Sequence, residues 1–308
     1  MPLISVIMPA YNASGFIAEA IESILNQTFP DFELLICEDG SVDDTLSIIK
    51  SYAAKDNRIT FFENKKNIGN LKTTNFLFGK CKGKYITIQD ADDYSLPTRF
   101  ELLLKAFEKD TELGMVGSNY EIVDENRIPI SCGLLPLKNE DIKSMMNKEV
   151  IPVLYASVMV KRELVENTGL FRLFFDRKGY ADIDWLNRCA EASKVTNTKQ
   201  ILYFYRRHHH SFTYNEKNSK NLILQNIHLL LLQAHLLRVR GEKDFFELND
   251  VKAMKNVICN YHIRRAENCY WEKNIKKAYS HLLIALGADC FNAKVYKVFF
   301  YVTRKSIS

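Results

Sequence analysis

The strongest constraint on this chain is a unit that repeats through its first third: a short apolar run, then a polar cluster, then an amphipathic stretch. Ile4-Ser5-Val6-Ile7-Met8 is the first run and reads as a buried strand. Pro9, Asn12 and Gly15 break it. Phe16, Ile17, Ile21, Ile24 and Leu25 then share one face of a helix expected from about Ser14 to Gln27, with Ser14 as its N-cap. Glu33–Cys37, Ile59–Phe62 and Tyr85–Gln89 read as further strands, alternating with helices over about Asp43–Ala53 and Asn70–Lys80. Such alternation with short links implies a parallel sheet with helices on both faces. Ligands of such sheets bind beyond the carboxyl ends of the strands. The polar clusters Pro9–Asn12, Glu38–Asp43 and Asp90–Asp93 each follow an expected strand.

The middle of the chain, about 113–215, is less regular. Strands are expected near Met115–Ser118, Ala156–Val160 and Ile201–Tyr205, and a helix over Asp182–Ala192. From Glu216 the pattern is helical to the end. Two regions follow: residues 1–215 as an α/β domain, and 216–308 as a helical region for acceptor, membrane-surface or oligomer contacts. A chain of 308 residues, 47% hydrophobic, buries a large core. The seven cysteines, Cys37, Cys81, Cys132, Cys189, Cys259, Cys269 and Cys290, are scattered and form no CxxC pair. They speak against a zinc site or a disulfide framework and for a reducing compartment. No signal peptide is expected, because no basic segment precedes an apolar stretch, and no membrane span, because no run approaches the roughly twenty apolar residues a span needs. The net charge of +5 is uneven: residues 216–308 carry 16 Lys and Arg against 8 Asp and Glu, a net +8. That suits a solvated helical surface or a phospholipid surface of negative charge.

Gln89-Asp90-Ala91-Asp92-Asp93 is the most informative cluster. Three carboxylates in four residues repel one another, and at the end of a buried strand the repulsion is costly unless something positive sits there. Hard oxygen ligands suit Mg²⁺ or Mn²⁺, which usually also hold substrate phosphates. The same residues suit a solvated acidic turn or the cap of a helix over Leu96–Lys109. In Glu38-Asp39-Gly40-Ser41-Val42-Asp43-Asp44, a helix N-terminus accounts for Ser41 as cap and for Asp43 and Asp44 at the positive end of the dipole. It leaves Glu38 and Asp39 at the mouth of the strand, where a carboxylate can accept hydrogen bonds from a base or a ribose.

Pro9-Ala10-Tyr11-Asn12, Glu38-Asp39-Gly40-Ser41 with Asp43, Asn67-Ile68-Gly69 with Asn75, and Asp90-Ala91-Asp92-Asp93 together resemble the ordered signature of the family-2 glycosyltransferases. Each motif is weak alone, but four in order, each after a strand or before a helix, are specific. Gly179-Tyr180-Ala181-Asp182-Ile183-Asp184-Trp185 is similar to the family's acidic helix start, with Ala181 where that motif often has Glu. Arg206-Arg207-His208-His209-His210-Ser211 resembles its R-x-H-x-x-S segment, which selects Arg206, His208 and Ser211. Adjacent histidines on an extended segment point to opposite faces, so a single one, His208, is favoured as a ligand.

The resemblance implies a GT-A fold: a Rossmann-like, mixed, mostly parallel sheet flanked by helices, here followed by a C-terminal α-helical region. It implies an inverting, hexosyltransferase-like enzyme using a nucleotide-sugar donor, with UDP as the expected carrier. Mn²⁺ or Mg²⁺ would be held by Asp92 and His208. Asp39, Pro9 and Tyr11 would hold base and ribose, and Asp90 the nucleoside or the metal's outer shell. Asn12, Glu38, Asn67, Gly69, Ala91 and Arg206 would complete the donor site. Asp182 would be the catalytic base, with Asp184 two residues on; on a helix the two point about 200° apart, so only one faces the donor. The Q-x-x-R-W motif of processive synthases is absent, which points to a non-processive enzyme.

A saccharide or lipid-linked saccharide is the expected acceptor, and no nucleic acid is expected as partner. A cytoplasmic location follows, with attachment to the inner face of the membrane as an extension. Along 291–305, Phe291, Val295, Val298, Phe299 and Val302 fall on one side of a helix, and Lys294, Lys297, Arg304 and Lys305 on another. This pattern suits a helix in a membrane interface, a terminal helix docked on its own domain, or an oligomer contact. Two rival functions are a nucleotidyltransferase, which would show a basic Gly-rich loop after the first strand, and a non-catalytic nucleotide-sugar-binding protein.

Overall fold

β1 (Ile4–Ala10) is buried at every position. It pairs in parallel with β2 (Phe32–Glu38) and with β4 (Tyr85–Ile88), and β2 pairs in parallel with β3 (Ile59–Glu63). A strand with neighbours on both edges and helices on both faces accommodates little besides apolar side chains, hence the run Ile4–Met8. Its one hydroxyl, Ser5, is matched: Ser5 Oγ donates to Glu33 Oε1 at 2.6 Å and accepts from Gly83 N at 2.8 Å. The structure, a computed structural model, describes residues 1–146, 152–209 and 221–306. The chain divides into two units, Met1–Tyr214 and Asn215–Ser308.

In the first unit the sheet order is β3-β2-β1-β4-β8-β6-β9-β5. Here β8 is Met159–Lys161, β6 Leu113–Val123, β9 Lys194–Arg206 and β5 Tyr94–Ser95, and β7 (Pro129–Gly133) pairs with β6. The β4–β8, β8–β6 and β9–β5 pairings are antiparallel and β6–β9 is parallel, so the sheet is mixed. Ala10 pairs with Glu38, and Ile7 with Ile88, so these strands end at about the same level. Their following turns therefore share one rim.

The helices α1 (Ile17–Leu25), α2 (Thr45–Ala53), α3 (Asn70–Phe78) and α4 (Arg99–Lys109) follow the expected alternation. α1 starts later than expected, and Ser14 is not its cap: the Ser14 N–H donates to Asp43 Oδ2 at 3.0 Å, which holds the chain out of the helix. The strand expected over Ala156–Val160 is shorter as well. Tyr155–Ser157 forms a 3₁₀ turn and pairing begins at Met159. Two short helices, α5 (Asn139–Met146) and α6 (Arg162–Thr168), arise in the irregular middle, and α7 (Ala181–Ala192) forms as expected.

Arg99, in the first turn of α4, is fully buried. Its Nη1 donates to Ser95 Oγ at 2.9 Å and Gln89 Oε1 at 3.3 Å. Its Nη2 donates to Thr87 Oγ1 at 2.8 Å, Ile88 O at 3.0 Å and Ala156 O at 2.8 Å. The guanidinium also lies 5.0 Å from the centre of the Tyr203 ring. One side chain thus joins β4, β5 and the turn at 155–157. Burial pulls its pKa down to about 10, which leaves it charged at neutral pH.

The second unit comprises helices Leu222–Gln225, Ile227–Val239, Val251–Trp271, Ile275–Ala288 and Ala293–Ser306. Asp250 and Asn274 cap two of them by accepting from Ala253 N and Lys277 N. In the last helix, Val295, Val298 and Val302 are buried and Phe299 packs on Tyr279. Four of the five residues on the face that suits a membrane interface are therefore packed inside the unit, as the docked-helix alternative expects. Phe291, Tyr296 and Phe300 remain exposed. No helix among the described residues is long and apolar enough to cross a membrane.

Arg99→Leu keeps bulk but strands the acceptors that the guanidinium serves. It is expected to cost about 3–5 kcal/mol, the range for removing one partner of a buried charged network. Urea unfolding measures this, and a loss below about 1 kcal/mol would show that the strands hold together without it.

Candidate active site

The rim at the carboxyl ends of the parallel strands is built from three turns. After β1, Pro9 is buried within the strand, Tyr11 is 47% exposed, and Asn12 takes a positive φ of 47°. The turn after β2 is laced to it. Asn12 N donates to Ser41 Oγ and Val42 N to Asn12 Oδ1, both at 3.0 Å, and Ala13 N donates to Thr45 Oγ1 at 2.8 Å. Ser41 therefore serves the neighbouring turn and does not cap α2. The N-cap position is Asp44, which makes no side-chain cap bond, while Asp43 just before it accepts from Thr45 N at 3.1 Å.

Glu38 and Asp39 are both buried and both shape the rim. The Glu38 carboxylate accepts from Gly40 N and Ser41 N and closes its own turn. Gly40 has φ of 72°, and a Cβ there would lie 2.6 Å from the Lys66 carbonyl carbon, so only glycine fits. Asp39 Oδ1 accepts from Asn64 Nδ2 at 2.8 Å and Ile68 N at 3.0 Å, and Oδ2 from Gly69 N at 2.9 Å. The Asn67-Ile68-Gly69 loop is thus held in place by Asp39, and Asn67 in turn accepts from Arg177 Nη2 at 3.3 Å. A carboxylate has about four acceptor positions, so three bonds leave Asp39 one for a base or ribose.

After β4 the acidic cluster separates by environment. Asp93 is buried; its Oδ2 accepts from Tyr203 OH at 2.8 Å and its Oδ1 from Arg206 N at 2.7 Å, tying the turn to β9. The Tyr203 oxygen also accepts from Asp90 N at 3.2 Å. Ala91 is buried beside them. Asp92, a third exposed, faces His208, with Oδ2 2.9 Å from Nε2. Burial, then the charges of Asp92 and Asp182, push Asp90 up to about 7. Asp93 is raised by burial and by the charges of Asp92 and Asp90.

Asp182 lies in the first turn of α7 and is raised by burial, against which backbone hydrogen bonds act. Its charge, like that of Asp92, reaches Asp90 at the carboxyl end of β4. Asp184 is elsewhere. It is fully buried, with Oδ2 3.0 Å from Arg188 Nε and Oδ1 3.4 Å from Arg172 Nη1. It anchors the helix, in keeping with the 200° separation. Arg206 likewise serves the fold: its Nη2 pairs with Glu19 Oε2 at 2.6 Å, and its guanidinium lies 4.8 Å from the Phe16 ring centre and 5.4 Å from that of Tyr94. His210 and Ser211 lie outside the described residues. The sequence alone does not point to Arg99, Tyr203, Asn64 or Tyr155. Arg99, Tyr203 and Tyr155 are single polar side chains among apolar neighbours and Asn64 is one of several polar residues in its loop, so only their partners give them meaning.

A free Asp titrates near 3.9, whereas Asp90 in the fold titrates near 7. Between about pH 4 and pH 7 the folded chain holds a proton that the unfolded chain has lost, so this group's contribution to stability falls as pH rises. Asp90→Asn removes the titration. The variant is expected to melt above the wild type at pH 8, by a margin that shrinks as the pH is lowered to 5. An equal margin at both pH values would show that Asp90 is not held near 7.

Comparison with known proteins agrees with this geometry. Residues 5–169 match the model for glycosyl transferase family 2. Over 265 residues the chain is 31% identical to an Escherichia coli protein, the UDP-Glc:alpha-D-GlcNAc-diphosphoundecaprenol beta-1,3-glucosyltransferase WfaP, covering 85% of this chain and 92% of that one. Some matches are partial: 39% identity to a Haemophilus influenzae glycosyltransferase covers 40% of that relative. The Staphylococcus aureus TarS 1-349 structure with UDP-GlcNAc superposes with a TM-score of 0.63 at 16% identity, over 92% of this chain and 90% of that one. The Pyrobaculum calidifontis mannosyltransferase PcManGT, in complex with GDP-Man and Mn2+, superposes with a TM-score of 0.56 at 16% identity, over 100% of this chain and 81% of that one. The architecture is the expected GT-A fold with a helical C-terminal region, and the nucleotidyltransferase and non-catalytic alternatives fall away: this chain belongs to the family-2 glycosyltransferases.

Proposed function

We propose that this glycosyltransferase moves a sugar from a nucleoside-diphosphate sugar, with UDP as carrier, onto a hydroxyl of a saccharide or lipid-linked saccharide. The transfer inverts the anomeric carbon and is non-processive, and it serves assembly of a surface polysaccharide or glycolipid at the cytoplasmic side. The observation that carries this reading is the acidic turn after β4, where the parallel strands end and Asp92 faces His208 at 2.9 Å. WfaP, which matches most of the chain, carries in its name a UDP-sugar donor and a lipid-diphosphate-linked acceptor.

The donor set fits Mn²⁺ or Mg²⁺. Asp92 and His208 present an oxygen and a nitrogen 2.9 Å apart beside two further crowded carboxylates. Among the described residues no group of three or more ligands is arranged to hold an ion alone. Two protein ligands with the rest from phosphate and water is how Mg²⁺ usually binds. When bound, the ion would neutralise the negative charge of the departing diphosphate.

The chain's own residues supply the rest. Asp39 and the Asn67–Gly69 loop form the wall against which base and ribose are held, with Tyr11 exposed beside them. Asp182 takes the proton of the acceptor hydroxyl as that oxygen attacks the anomeric carbon from the face opposite the leaving diphosphate. Burial raises its pKa, which strengthens it as a base while the first turn of α7 keeps its charged form available.

Asp92→Ala is expected to lower turnover by at least about 10²-fold and to abolish the Mn²⁺-dependent part of UDP binding, with the fold intact. Near-normal turnover would sink the metal assignment. Asp182→Asn keeps the shape but cannot take a proton. A fall in kcat of about 10²–10⁴-fold is expected with UDP affinity unchanged, read by steady-state kinetics and calorimetry. A variant that loses UDP affinity and keeps kcat would move Asp182 out of the base role.

A further inference from the structure

Tyr155 sits in the turn Tyr155–Ser157, which no motif marks. Two contacts hold this turn beside the carboxyl end of β4. Arg99 Nη2 donates both to Ile88 O and to Ala156 O, and Thr87 Oγ1 donates to Val158 O at 2.7 Å. Ile88 is two residues before Asp90. On its other side the Tyr155 ring meets Phe171, with centres 5.4 Å apart, and Trp185 edge-on at 6.0 Å. Trp185 follows Asp182 by three residues on α7, so the two share a helix face. Tyr155 therefore stands between the element that carries Asp90 and the element that carries Asp182.

Its hydroxyl is buried and has no hydrogen-bond partner among the described residues. A buried phenol normally finds a partner, because leaving the group unmatched is costly. Burial first, then the charges of Asp90 and Asp182, hold its pKa well above the ordinary value, so the group is a protonated donor at any working pH. A donor beside two carboxylates is matched by a ligand group that both accepts and donates, and an alcohol does both.

We propose that the Tyr155 hydroxyl donates a hydrogen bond to a hydroxyl of the transferred sugar, lying between Asp90 and Asp182, and so takes part in choosing which sugar is moved. The assignment rests on the glycosyl-transfer reading above. Trp185 and Phe171 fix the ring, so the donor is preorganised, and a sugar with its hydroxyl displaced or absent leaves the phenol unmatched.

The test uses the full chain and Tyr155→Phe, which removes the oxygen alone. Without ligand the variant is expected to melt at the same temperature as the wild type or higher, because no protein bond is lost. Calorimetry with Mn²⁺ then compares UDP, UDP-glucose and UDP-N-acetylglucosamine. UDP affinity is expected to stay within about twofold, while affinity for the sugar nucleotide that the wild type prefers falls about tenfold, the size of one hydrogen bond. Equal affinity of the two proteins for that sugar nucleotide overturns the inference. So does a clear drop in melting temperature, which would give the hydroxyl a partner inside the protein, and so does an equal loss for UDP, which would make Tyr155 a nucleotide contact. A wild-type chain that binds none of the three sinks the transfer reading itself, and this inference with it.

Discussion

A guanidinium buried away from water must find acceptors for its N–H groups, and Arg99 finds them on three segments: the end of β4 with Gln89, β5, and the turn at 155–157, 57 residues on. These acceptors are carbonyl, amide and hydroxyl oxygens, so the positive charge is held without a direct carboxylate partner. Its field nevertheless acts on Asp90, lowering a pKa that burial and two neighbouring carboxylates raise. That field offsets part of the crowding at Asp90, whose pKa burial and the two carboxylates still hold up at about 7. The same side chain sets the turn that carries Tyr155. The rim at the strand ends and the sheet core are thus joined through one residue, and the cost of burying its charge is part of the cost of assembling that rim.

The acidic residues of the rim divide by what they accept. Glu38, Asp39, Asp43 and Asp93 spend their oxygens on backbone N–H groups and neighbouring side chains, and Asp184 on two arginines. The first four make the turns rigid, and Asp184, away from the rim, anchors α7. Repulsion persists around Asp90, which the charges of Asp92 and Asp182 raise, and at Asp93, which keeps its two hydrogen bonds while Asp92 and Asp90 raise it. Charge left unresolved in a preorganised cleft favours a ligand of opposite sign or a proton in transit. Rigid turns and reactive carboxylates alternate along the same short motifs, which is why the motifs are so rich in Asp.

The second unit follows a different logic. Its last helix has an apolar stripe of Val295, Val298 and Val302, all taken up by neighbouring helices, while Tyr296 and Phe300 face outward. His262 and His281 meet through their Nδ1 atoms at 2.8 Å, and His262 Nε2 bonds Asn226 Oδ1 at 2.8 Å, joining three helices. Burial pulls His262 down to about 4, so this junction is neutral at physiological pH.

Strand and helix identity in the first third were legible in the sequence because each element is a continuous pattern of apolar residues closed by its own turn chemistry. Ile4–Met8 can only be a buried strand, and Phe16 to Leu25 only an amphipathic helix. The acidic cluster was legible for the same reason: its like charges are adjacent along the chain, so their repulsion shows without coordinates. The division of roles within it was not. Whether Asp182 or Asp184 faces the cleft depends on where α7 begins and which arginines lie behind it. Whether Arg206 reaches a ligand depends on Glu19, 187 residues earlier. The stripe on the last helix suits several environments equally, because amphipathicity states that a face is covered and not by what. Local sequence determined the elements, the order of their turns and the presence of an acidic site. Only the tertiary structure decided which carboxylates are matched and which are left to act, since a hydrogen bond or an ion pair is a property of two residues and the sequence lists them one at a time.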